Sequence, residues 1–210
     1  MAAAAAGESM KLYLVRHGET EWNQRGLFQG TTDIPLNQSG RDQAAAAALA
    51  LRDIPFDAVF CSPLSRARET AQIIMGGRGA PVTPDERLRE ISFGAGEGRS
   101  VPDTRRSPGT PLYDFLCAPE RYVPPEGGEP LASLFARTGD FVREVLLPLE
   151  GTREAVLVAA HGAVNRAILN PALGLSVAQF WQVQLTNCAV SVLEVEGGEL
   201  RVVEPLLTYI

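Results

Sequence analysis

Short apolar runs, each bounded by polar or turn-forming residues, recur along the chain at intervals that leave room for helices between them. Such runs are typical of buried strands when they are four to eight residues long and rich in β-branched side chains. The last two runs flank Gly197-Gly198, a pair typical of a tight hairpin. The predicted strands are residues 12–15, 58–61, 82, 155–160, 190–195 and 200–203.

Helical periodicity separates these strands. Helices are predicted at residues 37–52, 63–75, 131–149 and 163–173. Ser39 is the expected cap of the first, Pro63 is expected in the first turn of the second, and Pro171 should disturb the last. Strands that alternate with helices predict an α/β fold, here a three-layer α/β/α sandwich with a mostly parallel central sheet. The terminal hairpin would add an antiparallel edge.

Two segments stand apart from this alternation. Residues 1–10 are alanine-rich and are expected to form a disordered tail. Residues 99–130 are rich in proline and glycine and predict a lid-like insertion. The remainder, residues 11–210, is expected to be one domain.

Composition narrows the classes of function. The net charge is -6 and no block of basic residues occurs, which argues against nucleic acid as a partner. No apolar stretch approaches the roughly 20 residues of a membrane span. The three cysteines are not spaced for a metal knuckle or a redox pair, which favours reduced thiols and a cytoplasmic location.

The chain has only two histidines, and each directly follows a predicted strand and precedes a glycine. Ligands of open α/β sheets bind beyond the carboxyl ends of the strands, so His17 and His161 are candidate functional residues. Arg16 lies beside His17, and Arg66 lies near the start of a predicted helix, where free N–H groups would also favour an anion. Guanidinium groups match phosphate oxygens in pairs.

Two other interpretations of the histidines remain open. Each could be a buried residue with a purely structural role. Two imidazoles and a carboxylate could also bind zinc or iron, although Arg16 would repel the cation and the chain has no His-x-x-x-His helix. No metal site is therefore predicted.

Four sequence blocks, in the expected order and at suitable spacings, resemble the histidine phosphatase superfamily, also called phosphoglycerate-mutase-like. A fifth, weaker element is Asn187. The third block favours the phosphatase branch, similar to α-ribazole phosphatases and broad-specificity phosphatases. The blocks are Leu14-Val15-Arg16-His17-Gly18-Glu19-Thr20-Glu21-Trp22-Asn23 with Phe28-Gln29-Gly30 and Pro35-Leu36-x-x-x-Gly40, Ser62-Pro63-Leu64-Ser65-Arg66-Ala67-x-x-Thr70-Ala71, Leu88-x-Glu90-x-x-Phe93-Gly94-x-x-Glu97-Gly98, and Val158-x-x-His161-Gly162-x-x-x-Arg166.

The resemblance implies a metal-independent phosphatase that hydrolyses small-molecule phosphate monoesters, without a cofactor, through a phosphohistidine on His17. It implies that Arg16, Arg66 and His161 hold the phosphate oxygens and that Glu90 protonates the leaving oxygen and then activates water. The implied substrate-binding residues are Arg16, Asn23, Gln29, Gly30, Arg66, His161 and Gly162.

Two alternatives to a phosphatase stay open. One is a phosphoglycerate mutase, although mutases characteristically carry a different third block. The other is a non-catalytic module that binds a phosphorylated ligand, which fold alone would permit. An exposed edge strand would allow a homodimer, but nothing in the sequence requires one.

The substrate is expected to depend on the insertion. Arg99, Arg105 and Arg106 could bind a carboxylate or a second phosphate, although a solvated loop is the commoner situation for such residues. Gly96 replaces a tryptophan usual in the phosphatase branch, and Pro130 replaces a serine, so the pocket is expected to differ in shape.

Overall fold

The computed structural model describes residues 9–207. Six strands within this range form one sheet. The order across the sheet is β3-β2-β4-β1-β5-β6. Strands β1, β2, β3 and β4 run parallel to one another, whereas β5 and β6 are antiparallel additions at one edge. The strands are β1 (Met10–Arg16), β2 (Ala58–Cys61), β3 (Val82–Pro84), β4 (Ala155–Ala160), β5 (Val190–Glu196) and β6 (Glu199–Leu207).

Helices cover both faces of this sheet. Single turns of 3-10 helix occur at Glu86–Leu88, Gly94–Gly96, Pro119–Arg121 and Val177–Gln179, and π and 3-10 turns at Val142–Leu146 and Leu147–Leu149 extend α6. The α-helices are α1 (Glu21–Gln24), α2 (Gln38–Ala50), α3 (Ser65–Met75), α4 (Val101–Arg105), α5 (Pro111–Cys117), α6 (Leu131–Phe141) and α7 (Gly162–Ala172).

Alternation along the strands builds two separate cores. In β1, Leu12 and Leu14 pack on the side of α6 and α7, while Tyr13 and Val15 pack on the side of α2 and α3. The central strand β4 is buried at every position, as expected for a parallel strand covered on both faces. The three-layer sandwich predicted from the sequence is therefore confirmed, together with its mostly parallel sheet.

Two predicted helix starts were wrong by a few residues. Asn37, not Ser39, caps α2, because its extended backbone lets the side-chain oxygen accept from the backbone N–H of Gly40 at 2.8 Å. Helix α3 begins at Ser65, so Pro63 precedes the first turn instead of lying within it. The caps could not be read from residue type alone, because Ser, Asn and Pro are all common near a helix start.

The structure alters the predicted bounds of the tail and shows that the predicted insertion contains two helices. Residues 1–8 lie outside the described residues, but Met10, which was assigned to the tail, is the buried first residue of β1. The stretch 99–130 contains α4 and α5, and Leu112 and Phe115 of α5 are buried in the main core. Within residues 9–207, no helix is both long enough and apolar enough to cross a bilayer.

Close backbone approach fixes the loop that follows β1 against α2. A Cβ atom on Gly40 would overlap the backbone oxygen and nitrogen of Glu19, and one on Gly18 would overlap the carbonyl of Gly40. A side chain at residue 40 would therefore push the loop after His17 away from α2.

We predict that Gly40→Ala lowers the free energy of unfolding by roughly 1–3 kcal/mol, as overpacking does in a rigid core. Gly139→Ala is the matched control. Gly139 also lies inside a helix, but a Cβ there meets nothing within 4 Å. The control should gain stability, by about 0.5–1 kcal/mol, because alanine favours helix over glycine. Urea denaturation measures both, and equal effects of the two substitutions would contradict the packing argument.

Candidate active site

The register of two parallel strands brings the two histidines together. Arg16 at the end of β1 lies opposite Ala160 at the end of β4, and the backbone N–H of His17 donates to the carbonyl of Ala160 at 3.0 Å. Each histidine is the first residue beyond its strand. The ring centroids of His17 and His161 lie 5.1 Å apart, at an interplanar angle of 61°.

The His17 ring has one nitrogen committed to the backbone. Its Nδ1 lies 2.7 Å from the carbonyl oxygen of Gly18, a contact that requires a proton on Nδ1 in the neutral ring. The lone pair is then on Nε2. The side-chain amide of Asn187 donates to the carbonyl of His17 at 3.0 Å, and the Gly18 N–H donates to the Thr70 hydroxyl at 3.1 Å. These bonds fix the loop on both sides of the ring.

The third parallel strand end, that of β2, leads into α3 and delivers Arg66. Its guanidinium is fully buried, and it donates to the carbonyls of Gly30 at 2.7 Å and Thr32 at 2.9 Å. The carboxylate of Glu97 holds that loop in turn, by accepting from the backbone N–H groups of Thr31 and Thr32.

The helix N-terminus beside Arg66 is not free for an anion, contrary to expectation. The Asp33 carboxylate accepts from both the backbone N–H and the hydroxyl of Ser65, the first residue of α3. The positive charge that α3 offers to the site is therefore that of the Arg66 side chain alone.

Several buried N–H groups around the two rings have no hydrogen-bond partner among the described residues. Arg16 uses one guanidinium nitrogen to donate to the Leu185 carbonyl at 2.6 Å, but its Nε is unpaired. The Nε of Arg66 and both ring nitrogens of His161 are unpaired as well. Buried polar atoms of this kind are rare in proteins, and their convergence indicates a site for a ligand rich in acceptor oxygens.

The side chain of Glu90 lies against the first turn of α7. Its carboxylate accepts from the backbone N–H groups of Ala163 at 3.2 Å and Val164 at 3.3 Å. A Cβ on Gly162 would lie 3.9 Å from Oε2 of Glu90 and 3.8 Å from Nε of Arg16. The acid, the cation and the glycine thus border the same small space.

One cavity of about 200 Å³ joins most of the predicted residues. We call this cavity the histidine pocket. His161 is completely buried and packs against the His17 ring, which itself lines the cavity. The predicted residues that line the pocket are Arg16, His17, Asn23, Gln29, Gly30, Arg66, Glu90 and Gly162.

Burial and nearby cations set the ionisation of the site. The pKa of His17 is held well below its usual range, first by burial and then by Arg66 and Arg16. Burial likewise lowers the pKa of His161 well below its usual range, with Arg66, His17 and Arg16 adding to the effect. Burial also lowers the pKa of Arg66 to about 10, so this guanidinium is still charged at neutral pH. Two neutral imidazoles therefore lie among charged guanidinium groups.

Sequence reasoning assigned no role to several residues that shape this pocket, among them Arg166, Phe115 and Trp181. Arg166 follows Gly162 by one helical turn, so the spacing could have indicated that its guanidinium returns to the start of α7, where it donates to the Gly162 carbonyl at 2.8 Å. Phe115 and Trp181 come from the insertion and from a loop after α7, and no local pattern marks them.

The three arginines of the insertion do not line the histidine pocket. Arg99 borders a separate, larger cavity of about 530 Å³ within the insertion, which contains neither histidine. Arg105 is exposed, and Arg106 is exposed and paired with Asp103 at 2.6 Å. Size alone thus does not identify the functional cavity of this protein. Across residues 9–207, no group of three or more His, Cys, Asp or Glu side chains is arranged to hold a metal ion.

Comparisons with known proteins agree with this geometry. A wheat (Triticum aestivum) 2-carboxy-D-arabinitol-1-phosphatase is 36% identical over 188 residues, covering 89% of this chain and 37% of the relative. Phosphoserine phosphatase 1 of Hydrogenobacter thermophilus is 32% identical over 187 residues, covering 89% of this chain and 87% of the relative. The chain spans about two fifths of the length of the plant phosphatases it matches. Curated relatives named phosphoglycerate mutases match as well.

A solved structure shows the same fold. YhfR of Bacillus stearothermophilus superposes with a TM-score of 0.85 at 34% identity, covering 93% of this chain and 96% of that one. The family model described as histidine phosphatase superfamily (branch 1) matches residues 12–206, nearly the whole described chain. The chain therefore belongs to branch 1 of the histidine phosphatase superfamily.

Proposed function

We propose that the protein is a metal-independent phosphatase that hydrolyses small phosphate monoesters through a phosphohistidine on His17. The observation that carries the proposal is the set of unpaired, buried N–H groups of Arg16, Arg66 and His161 around the free Nε2 of His17. A phosphoryl group supplies acceptor oxygens for each donor and an electrophilic phosphorus for the imidazole. The phosphatase relatives act on phosphate esters by name, which supports the same class of reaction.

In the first step, Nε2 of His17 attacks phosphorus as the bond to the ester oxygen breaks. Arg16, Arg66 and His161 stabilise the charge on the equatorial oxygens, which phosphoryl transfer needs more than elaborate covalent chemistry. Glu90, in its protonated form, gives its proton to the leaving alcohol. The products of this step are the free alcohol and a phosphohistidine.

In the second step, the Glu90 carboxylate takes a proton from water, and the resulting hydroxide oxygen bonds to phosphorus. The P–N bond breaks and the electron pair returns to Nε2 of His17. Splitting the hydrolysis into two displacements lowers each barrier. The guanidinium groups at the pocket would repel a divalent cation, so the proposed reaction uses none.

The function is tested with p-nitrophenyl phosphate in the presence of EDTA. The wild-type protein should keep its activity, and His17→Ala should lose all turnover above the buffer rate because the substitution removes the nucleophilic nitrogen. Rapid acid-free quenching and mass spectrometry should find phosphate on His17 in the wild type only. Activity lost to the chelator would identify a metallophosphatase, and absent activity a binding module. Phosphate passed to a phosphoglycerate acceptor instead of water would identify a mutase.

Glu90→Gln should slow the reaction most for poor leaving groups. An alkyl alcohol needs a proton as it departs, so its ester should lose about 10²–10⁴ in kcat/KM, the range for a general acid. p-Nitrophenolate leaves without help, and its ester should lose less. Steady-state kinetics on the two esters gives the comparison, and equal losses would remove Glu90 from the role of acid.

The lowered pKa values of the two histidines predict a specific dependence of stability on pH. In the unfolded chain both rings would titrate near about 6.5. Because the folded pKa values are lower, the unfolded state binds more protons as the pH falls through this value. The free energy of unfolding should therefore be fully maintained above about pH 6.5 and decline toward pH 5.

Nuclear magnetic resonance can follow both rings individually, since the chain has only two histidines. In the folded protein both should give neutral-ring signals at pH 6.5, whereas in urea both should be about half protonated there. His161→Gln should make the decline in stability with acid shallower. Ring signals that titrate near 6.5 in the folded state would contradict the electrostatic account of the site.

A further inference from the structure

The part of the histidine pocket beyond the phosphate-binding groups is lined by apolar side chains. These come from the loop after α1, from the segment just before the Gly94–Gly96 turn, from the insertion and from the loop after α7. They are Leu27, Phe28, Phe93, Val101, Phe115 and Trp181.

Four of these side chains form a continuous row of rings in edge-to-face contact. The ring centroids lie 4.9 Å apart for Phe28 and Phe93, 4.9 Å for Phe93 and Phe115, and 5.1 Å for Phe115 and Trp181. The indole N–H of Trp181 also donates to the Phe115 carbonyl at 2.6 Å. Such packing fixes each ring, so the row is a preformed wall.

Three apolar side chains at the pocket are only partly buried and are therefore available to a ligand. The phenylalanines of the row are buried, whereas Leu27, Val101 and Trp181 keep part of their surface exposed. A bound molecule would cover this surface, which contributes about 25 cal/mol per Å² of apolar area removed from water.

Among the described residues, the cations that line the pocket are Arg16, Arg66 and Arg166. Arg166 is the one not assigned to the phosphate, and two of its three guanidinium nitrogens already donate to backbone carbonyls. Its Nε donates to the Val183 carbonyl at 3.1 Å, its Nη1 donates to Gly162, and its guanidinium stacks 4.5 Å from the Trp181 ring centre. Nη1 lies 3.4 Å from a Cβ placed on Gly162, the same point that Arg16 and Glu90 border.

The arginines of the insertion that could bind a second anion, Arg99, Arg105 and Arg106, do not line the histidine pocket. Arg99 borders another cavity, Arg105 and Arg106 are exposed and do not line the pocket, and the single lysine of the chain, Lys11, lies near the opposite end of β1 from His17. A carboxylate or second phosphate on the leaving group would lose water against the apolar wall and would meet only the Arg166 guanidinium, which is already committed to two carbonyls and to the Trp181 ring, so its burial is costly.

We propose that the apolar surface of Leu27, Val101 and Trp181, held in place by the aromatic row, selects phosphate esters of compact, uncharged alcohols with an apolar or aromatic face, and disfavours leaving groups that carry a second negative charge. This inference rests on the proposed phosphatase function. The cavity of about 200 Å³ is small for a ligand site, which favours a compact alcohol.

Benzyl phosphate and 4-carboxybenzyl phosphate are the probes. They differ by one carboxylate, and the intervening carbons keep the two alcohols similar as leaving groups. We expect kcat/KM for benzyl phosphate to be at least about tenfold higher, because tenfold requires only about 1.4 kcal/mol of difference between the two transition states. Equal values, or a preference for the carboxylate, would overturn the inference. If benzyl phosphate, 4-carboxybenzyl phosphate and p-nitrophenyl phosphate all remain unhydrolysed, the proposed function itself is refuted.

Val101→Lys tests the wall directly by placing a cation at its rim. Val101 is partly exposed at the start of α4, and its backbone N–H bond to the Gly26 carbonyl does not depend on the side chain. The ratio of kcat/KM for benzyl to 4-carboxybenzyl phosphate should fall about tenfold. Leu27→Lys, on the neighbouring rim, should change the ratio in the same direction and replaces Val101→Lys if that variant does not fold.

Val123→Lys is the matched control. Val123 also belongs to the insertion and is 70% exposed, but it does not line the histidine pocket. The control should leave the ratio at its wild-type value. If it shifts the ratio as much as the folded rim variants do, the effect is one of overall charge and the inference is wrong. An unchanged ratio in both rim variants would overturn it too.

Discussion

The parallel pairing of β1 with β4 is the constraint on which the site depends. Because Arg16 lies opposite Ala160, the chain leaves both strands at the same height, and the two histidines follow at once. A slip of one residue would send one imidazole to the other face of the sheet. The fully buried β4 makes such a slip costly, since each of its side chains faces one of two packed cores. The geometry of the imidazole pair is therefore set by the same apolar alternation that forms the sandwich.

The electrostatics of the pocket depend on burial more than on the total charge of the protein. The chain carries a net charge of -6, yet three guanidinium groups line its histidine pocket, and those of Arg66 and Arg166 are buried. Desolvation lowers the pKa of Arg66 to about 10 and that of Arg166 to about 10, which measures how poorly these cations are hydrated there. An anion that enters such a site replaces the hydration that these arginines lost on folding. The buried guanidinium groups that are costly to fold without a ligand are therefore the groups that stabilise a bound phosphoryl group.

The sequence was most informative where a feature depends on residues that are neighbours in the chain. Two strands, at residues 58–61 and 155–160, were predicted with the bounds that the structure shows, because turn residues delimit their apolar runs. The position of His161, directly after the second of these strands, followed from those bounds. The cap of α2 and the occupation of the α3 N-terminus by Asp33 could not be predicted, because they depend on which side chain reaches across a loop. The places of Trp181 and Phe115 in the pocket could not be predicted for the same reason, since their contact joins residues 66 positions apart.

This difference divides the pocket into two parts with different structural origins. The phosphate end comes mainly from the carboxyl ends of three adjacent parallel strands, whose register leaves little freedom. The leaving-group end comes mainly from loops and from an insertion, held by ring packing and by one indole hydrogen bond. Changes in those loops can alter which alcohol is accepted while the imidazoles and guanidinium groups keep their places. The relatives that share this fold are named for different phosphorylated substrates, as expected if specificity resides in the second part alone.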